Sequence, residues 1–254
     1  PVNLLTFLDA GTQRGAAPGI AGSRAVKVDL GSLAGNPRLP LLDGKVYDTR
    51  QTGTERRGAA DFTWRGKVLL EGEEVGQMTL TSVAGRTAAT LTLSSGLYQI
   101  EPQPGGGERL VEIDEPALQK CHNPIAPAVR GSGLRLPKAG RAAAAASAPS
   151  TIDVLVLYTH PVLVALGSPD AVRATIQDSI DMANTAYQNS NVNAHLRLVG
   201  LQEFANFKKE NGVSQDELEA FQPDSEVAAL RRKTGADVVS LFVETMNDAC
   251  GIGY

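Results

Sequence analysis

From Arg24 to Asp114 apolar and polar positions alternate in short runs, RAVKVDL, FTWRGKVLL, QMTLTSV, AATLTLSS, LYQIEPQ and RLVEID. They recur about every ten residues, the spacing of an all-β sandwich or barrel. Val26, Val28 and Leu30, or Leu91 and Leu93, place one face inward and leave Thr, Ser and charge outside. Trp64 and Tyr98 are expected in the core, because strand aromatics are packing residues. After residue 150 the period changes. IDVLVLYT is a continuous β-branched and leucine run, the pattern of a central parallel strand covered on both faces. Ser168-Pro169-Asp170 then supplies an N-cap, a proline at the first helical position and an acid near the positive helix end. The helix it opens carries the stripe Val172, Ile176, Ile180, Ala183 and Tyr187 toward the sheet and ends at NSNVN. AHLRLVGLQEF reads as the next strand, SQDELEAF as a helix with a capping box from Ser214 to Glu217, and SEVAALRRKTG as a helix closed by Gly235. ADVVSLFVE is the third strand, and right-handed crossovers put IDVLVLYT between the other two.

This change of period divides the chain into a β-rich domain over 1–129, a linker over 130–150 and an α/β domain over 151–254. The stretch VRGSGLRLPKAGRAAAAASAPS is small and poor in core residues. Within it Lys138 and Arg141 flank flexible residues where proteolytic nicking concentrates. A net charge of −4 with interspersed signs gives no basic stripe, which argues against nucleic acid or an acidic membrane surface as a partner. No apolar run approaches the ~18 residues of a membrane span. The amino terminus PVNLLTFLDAG has neither the basic flank nor the apolar stretch of a signal peptide, and a chain clipped at both ends is expected.

Candidate chemistry is sparse. No glycine-rich phosphate cradle or G-x-S-x-G elbow occurs, and the three histidines do not form a metal motif by spacing. His160, after the first parallel strand, is expected to be solvated, and His195 to sit within a strand. Cys121 and Cys250 allow one bridge, one metal contact, or two inert thiols. At the carboxyl end GIGY offers small residues whose backbone a peptide could approach, if it forms an edge strand; two glycines also mark a frayed terminus.

The ordered string IDVLVLYT, then ANTAYQNSNVNAHLRLVG, GADVVSLFVE and ACGIGY resembles the N-terminal part of reprolysin-like metzincins, secreted zinc metallopeptidases, over Thr151 to Tyr254. LPLLDGKVYDTRQTGTERRGAADFTWRGKV through GLYQIEP and LVEID looks like the β-rich propeptide that precedes this domain in bacterial members. The resemblance implies a multidomain zymogen: an all-β propeptide, then the α/β N-terminal part of a metzincin catalytic domain with a mostly parallel sheet. It implies that Gly251, Ile252, Gly253 and Tyr254 begin the strand at the upper rim of the cleft, where peptide or protein substrate pairs. The family's H-E-x-x-H-x-x-G-x-x-H helix does not occur in this sequence. The zinc of the full-length enzyme, with its activated water, is therefore expected outside it, and this piece alone is expected to be inactive and metal-free, with no catalytic residue of its own. The propeptide acts as inhibitor in such enzymes. Cys121, in ALQKCHNPIAP, falls where a propeptide cysteine holds the zinc as thiolate, but His122 and Asn123 replace the glycine and valine that usually follow. Inhibitory ligand, bridge to Cys250 and inert thiol all stay open. Lys138 and Arg141 become the expected maturation site. The competing expectation is a non-enzymatic secreted binding module with a β domain and a small α/β domain.

Overall fold

The computed structural model describes residues 2–9, 11–15, 19–118, 150–207, 210–248 and 251–253. The expected linker over 130–150 therefore lies, but for Ser150, outside the described residues. Ten strands come first: β1 (Leu5–Phe7), β2 (Gln13–Arg14), β3 (Ile20–Val28), β4 (Leu39–Pro40), β5 (Val46–Arg56), β6 (Asp61–Leu70), β7 (Glu73–Val83), β8 (Arg86–Leu93), β9 (Gly96–Pro102) and β10 (Glu108–Ile113). They form one antiparallel sheet in the order β1-β3-β10-β9-β8-β7-β6-β5-β4, with β2 on β3. Its ends meet. Asn3 bridges Arg38 in parallel, Leu4 N–H donating to the Arg38 carbonyl at 2.7 Å and Arg38 N–H to that of Val2 at 2.9 Å, so the sheet curls into a near-barrel. Closure removes the exposed edges that an open sheet of this size would carry.

The six alternating runs became β3, β6, β7, β8, β9 and β10. Inside the curl pack Leu5, Val26, Leu39, Tyr47, Trp64, Val68, Leu80, Leu91, Tyr98, Ile100 and Leu110, as alternation requires. Trp64 lies across Gly66, two residues along the same strand face. A Cβ on Gly66 would sit 2.0 Å from the indole ring, so only glycine leaves room for it.

The second part holds β11 (Ser150–Tyr158), α1 (His160–Leu166), α2 (Pro169–Asn189), β12 (Ala194–Glu203), α3 (Ser214–Phe221), α4 (Ser225–Thr234) and β13 (Val238–Phe242). The three strands are parallel in the order β12-β11-β13, with β11 central as expected. Ser168 caps α2 by accepting from Ala171 N–H, Pro169 opens it, and Gly235 closes α4 in the left-handed region. The capping box of α3 forms differently. Ser214 gives its N–H and hydroxyl to Asp248, while Glu217 reaches past it to accept from Asn211 and Gly212 N–H at 2.9 and 2.8 Å. A nearby carboxylate from outside the helix thus took the local partner.

Helix α2 joins the two parts. Val172, Ile176 and Ile180 pack on Val154, Val156 and Tyr158 of β11. Its opposite face lies on β7 and β8, where Ala174 meets Val83 and Ala88. A second touch is Gly167, whose left-handed backbone (φ 83°) at the end of α1 brings it against Pro104, and a Cβ there would be 2.6 Å from the proline Cα. No helix among the described residues is long and apolar enough to cross a membrane.

Gly66→Ala should displace the Trp64 ring and cost about 1–3 kcal/mol or more by overpacking. Trp64 is the chain's single tryptophan. Its fluorescence should therefore shift to the red and the denaturant midpoint should fall together. Unchanged emission with unchanged stability would contradict the packing described.

Candidate functional site

The carboxyl ends of parallel strands are where open α/β sheets hold ligands. Here they present Tyr158, Glu203 and Phe242, with α1 starting at His160. The Nδ1 atom of His160 lies 2.8 Å from Glu203 Oε1, and the imidazole is 67% exposed, so it is solvated as the sequence implies, but as the first residue of α1 and not in a loop. His195 pairs in β12 opposite Thr151. At the other end of the sheet Arg197 grips Asp153 with two guanidinium nitrogens, at 2.7 and 2.8 Å. That contact holds the Asp153 carboxyl below its ordinary range.

Beyond β13 the chain folds back over the loop before α3. Glu244 N–H donates to Glu210 Oε1, Asn247 N–H to the Gly212 carbonyl, and Asp248 receives Ser214. Glu217, 3% exposed, braces that loop from beneath. Gly251, Ile252 and Gly253 follow Asp248 after two intervening residues. Those three residues are in no strand, and nothing lies within 4 Å of where a Cβ on either glycine would be. Among the described residues β13 pairs only with β11, leaving its outer edge free. Tyr254, Cys121, Cys250, Lys138 and Arg141 lie outside the described residues. No group of three or more His, Cys, Asp or Glu side chains that could hold a metal occurs among the described residues.

A cluster that the sequence reasoning missed lies between the two parts. Asp178 and Asp181 of α2, 4% and 1% exposed, point into a row of threonines on the outer face of the near-barrel. Thr63 pairs across strands with Thr81, and Thr79 with Thr90, so the row spans β6, β7 and β8. The Thr90 hydroxyl donates to Asp178 Oδ2 at 2.9 Å, and that of Thr81 lies 3.3 Å from both Asp178 Oδ1 and Asp181 Oδ2. Thr63 donates to Asp181, which also receives Arg65 at 3.2 Å, Gln177 at 3.3 Å and Arg57 at 3.5 Å. Asp181 therefore has two cations and Asp178 has none in contact. Burial drives the Asp178 pKa up to about 7; the Thr90 hydroxyl opposes this and the Asp181 charge adds to it. Burial also raises Asp181, opposed by Thr63, Arg57 and Arg65. The signal was present in QDSID, an acid pair at i, i+3 on the face opposite the apolar stripe, but such a face ordinarily meets water.

Residues 173–254 match the family described as Metallo-peptidase family M12B Reprolysin-like. Three curated relatives share one name, peptidyl-Asp metalloendopeptidase. The protein from Pseudomonas aeruginosa is 40% identical over 120 residues, 44% of this chain and 19% of that protein. The one from Xanthomonas campestris pv. campestris is 26% identical over 199 residues, 72% of this chain and 46% of that protein. The one from Stenotrophomonas maltophilia strain K279a is 28% identical over 261 residues, 93% of this chain and 60% of that protein. The chain thus spans from about a fifth to under two thirds of the length of these relatives. A solved chain titled "Structure of a chaperone-substrate complex" superposes at a TM-score of 0.36 with 23% identity, over 40% of this chain and 17% of that one. The family match begins within α2 and runs through β12 and β13, so the C-terminal part of the chain resembles reprolysin-like metallopeptidases.

Proposed function

We propose that this chain is the leading portion of an exported zinc endopeptidase zymogen, the near-barrel being its propeptide and residues 150–253 the first part of its catalytic domain. The observation that carries this reading is the match over residues 173–254, which falls on α2 and the two outer strands β12 and β13 of the parallel sheet and not on the near-barrel. Relatives longer than this chain support a continuation that supplies the zinc ligands. In the complete protein zinc would supply an activated water for peptide hydrolysis, as the family implies. The contribution of this chain is binding: among the described residues β13 offers unpaired edge N–H and C=O groups to an extended peptide, and Gly251 and Gly253 carry no side chain and have open space about them. The relatives' name makes aspartyl peptides the substrate class to test.

The purified 254-residue chain should neither retain one equivalent of zinc after dialysis nor cleave casein, whereas a chain extended to the relatives' length should retain zinc and, once cut between residues 118 and 150, cleave casein and lose that cleavage to chelator. Stoichiometric zinc with chelator-sensitive cleavage in the short chain would overturn the assignment of parts. An extended chain without metal or cleavage would favour the non-enzymatic binding module.

Cys121 is proposed as the inhibitory zinc ligand of the zymogen. In the extended protein Cys121→Ala should show peptidase activity before any cut between residues 118 and 150, because alanine offers the metal nothing where a thiolate binds strongly. A variant as latent as the parent, beside a fully active cleaved control, would remove the role.

A further inference from the structure

Two halves of one chain are held together here by a buried carboxylate pair, and its proton count does not close when both acids are ionised. Thr81 has one hydroxyl hydrogen and three acceptors in reach, Thr63 Oγ1 at 3.0 Å and one oxygen of each aspartate at 3.3 Å. Thr63 already donates to Asp181, so its hydrogen is not available to Thr81. A proton on Asp178 resolves the shortage: its hydroxyl donates to Thr81, Thr81 donates to Asp181, and Thr90 still donates to Asp178.

The charge balance points the same way. From β5 and the turn after it come Glu55 and Arg57, from β6 Asp61 and Arg65, and from α2 Arg173 with the two aspartates. β7 and β8 bring only uncharged Thr79, Thr81 and Thr90 to the site; of their charged residues Glu74 pairs with Lys67, Arg86 donates to the Gln103 carbonyl, and Glu73 is exposed. The ion pairs are Arg57 with Asp61 at 2.8 Å, Arg57 with Glu55 at 3.7 Å, Arg65 with Glu55 at 3.3 Å and Arg173 with Asp61 at 3.9 Å. Four carboxylates thus face three guanidinium groups, and Asp178 is the carboxylate without one.

We propose that the outer face of α2, centred on Asp178 and Asp181, is a proton-dependent docking surface for the near-barrel. Through it the two parts stay together as a non-covalent complex when the chain between residues 118 and 150 is cut, and they separate as Asp178 ionises. Among the described residues the contacts of this surface run along α2 from the Arg173–Asp61 pair to the hydrogen bond from Asn189 to Gln77 at 3.1 Å. It stands apart from the peptidase reading, since association and not cleavage is what it governs. A carboxyl whose pKa is raised by docking stabilises the docked state fully below its free value, about 4, and that contribution is lost as pH climbs through about 7. Retention therefore belongs to mildly acidic solution and release to alkaline solution.

A recognition sequence for a site-specific protease, placed between residues 130 and 148 of the intact chain, permits the test. After cutting, the two fragments should co-migrate in size exclusion at about pH 5.5. Their affinity should be roughly 30-fold weaker at about pH 8.5, the ratio for one site titrating at about 7 when docked and about 4 when free. Asp178→Asn, an uncharged mimic of the protonated acid, should bring that ratio to within about twofold of unity. Asp181→Asn should weaken association at both pH values and shrink the ratio without abolishing it, because the Asp181 charge is a lesser contributor to the rise at Asp178 than burial. Fragments that part at about pH 5.5, equal affinity at both pH values, or an undiminished ratio in Asp178→Asn would each overturn the proposal. Should the Asn variant fail to fold, the side-chain carboxyl carbon resonance of Asp178 in the intact parent chain decides it: a midpoint near 7 sustains the proposal and one near 4 overturns it.

Discussion

Helix α2 is buried on two faces of opposite chemistry, and the arrangement of both parts of the chain follows from that. Toward the parallel sheet it offers Val172, Ile176 and Ile180; toward the near-barrel it offers Ala174, Asp178 and Asp181. The first face is satisfied by any apolar layer. The second is satisfied only by an array of donors at the right spacing, because a buried carboxylate without partners costs several kcal/mol. The array exists because Thr63, Thr81 and Thr90 fall on the outward positions of three paired strands. A slip of one residue in β7 would turn Leu80 outward and take Thr81 from the carboxylates. The register of the near-barrel and the placement of the parallel α/β part are therefore one constraint.

Much of this was legible in the sequence, for physical reasons that can be named. Period-two runs marked six strands because their inward residues are apolar and their outward ones polar. The parallel sheet was legible because IDVLVLYT is apolar on both faces and its crossovers have one favoured hand. Strand β5 was not, since VYDTRQTGTER lacks an apolar period; it is a strand because its backbone pairs with β6 and because Tyr47 and Thr49 are buried by neighbours distant in sequence. Closure through Asn3 and Arg38 is likewise a long-range contact with no local signature.

The candidate sites divided along the same line. GIGY was noticed for its composition, and the structure leaves open space around Gly251 and Gly253, which lie in no strand. The acid pair of α2 went unread because polar residues on the far side of an amphipathic helix, and threonines on the outer side of a β-sheet, each read as solvated surface. Only their juxtaposition buries both, and a juxtaposition between residues about a hundred positions apart leaves no trace in either segment alone.

The chemistry of that contact also bears on why it is not simply apolar. A surface that must be covered while the halves are joined and wetted when they are apart cannot be a large apolar patch, which would drive aggregation once uncovered. Two aspartates meet both demands. Ionised in water, they keep the free helix face soluble. Enclosed, they are tolerated because three hydroxyls, two guanidinium groups and Gln177 surround them, and because one of the pair can take a proton in place of a missing cation. The threonine row on the other side has the same property, since hydroxyls that donate to carboxylates in the joined state donate to water in the separate one. Both faces are thus composed of groups whose exposure costs little and whose burial is conditional on each other, which is the composition expected of a reversible contact and not of a permanent core.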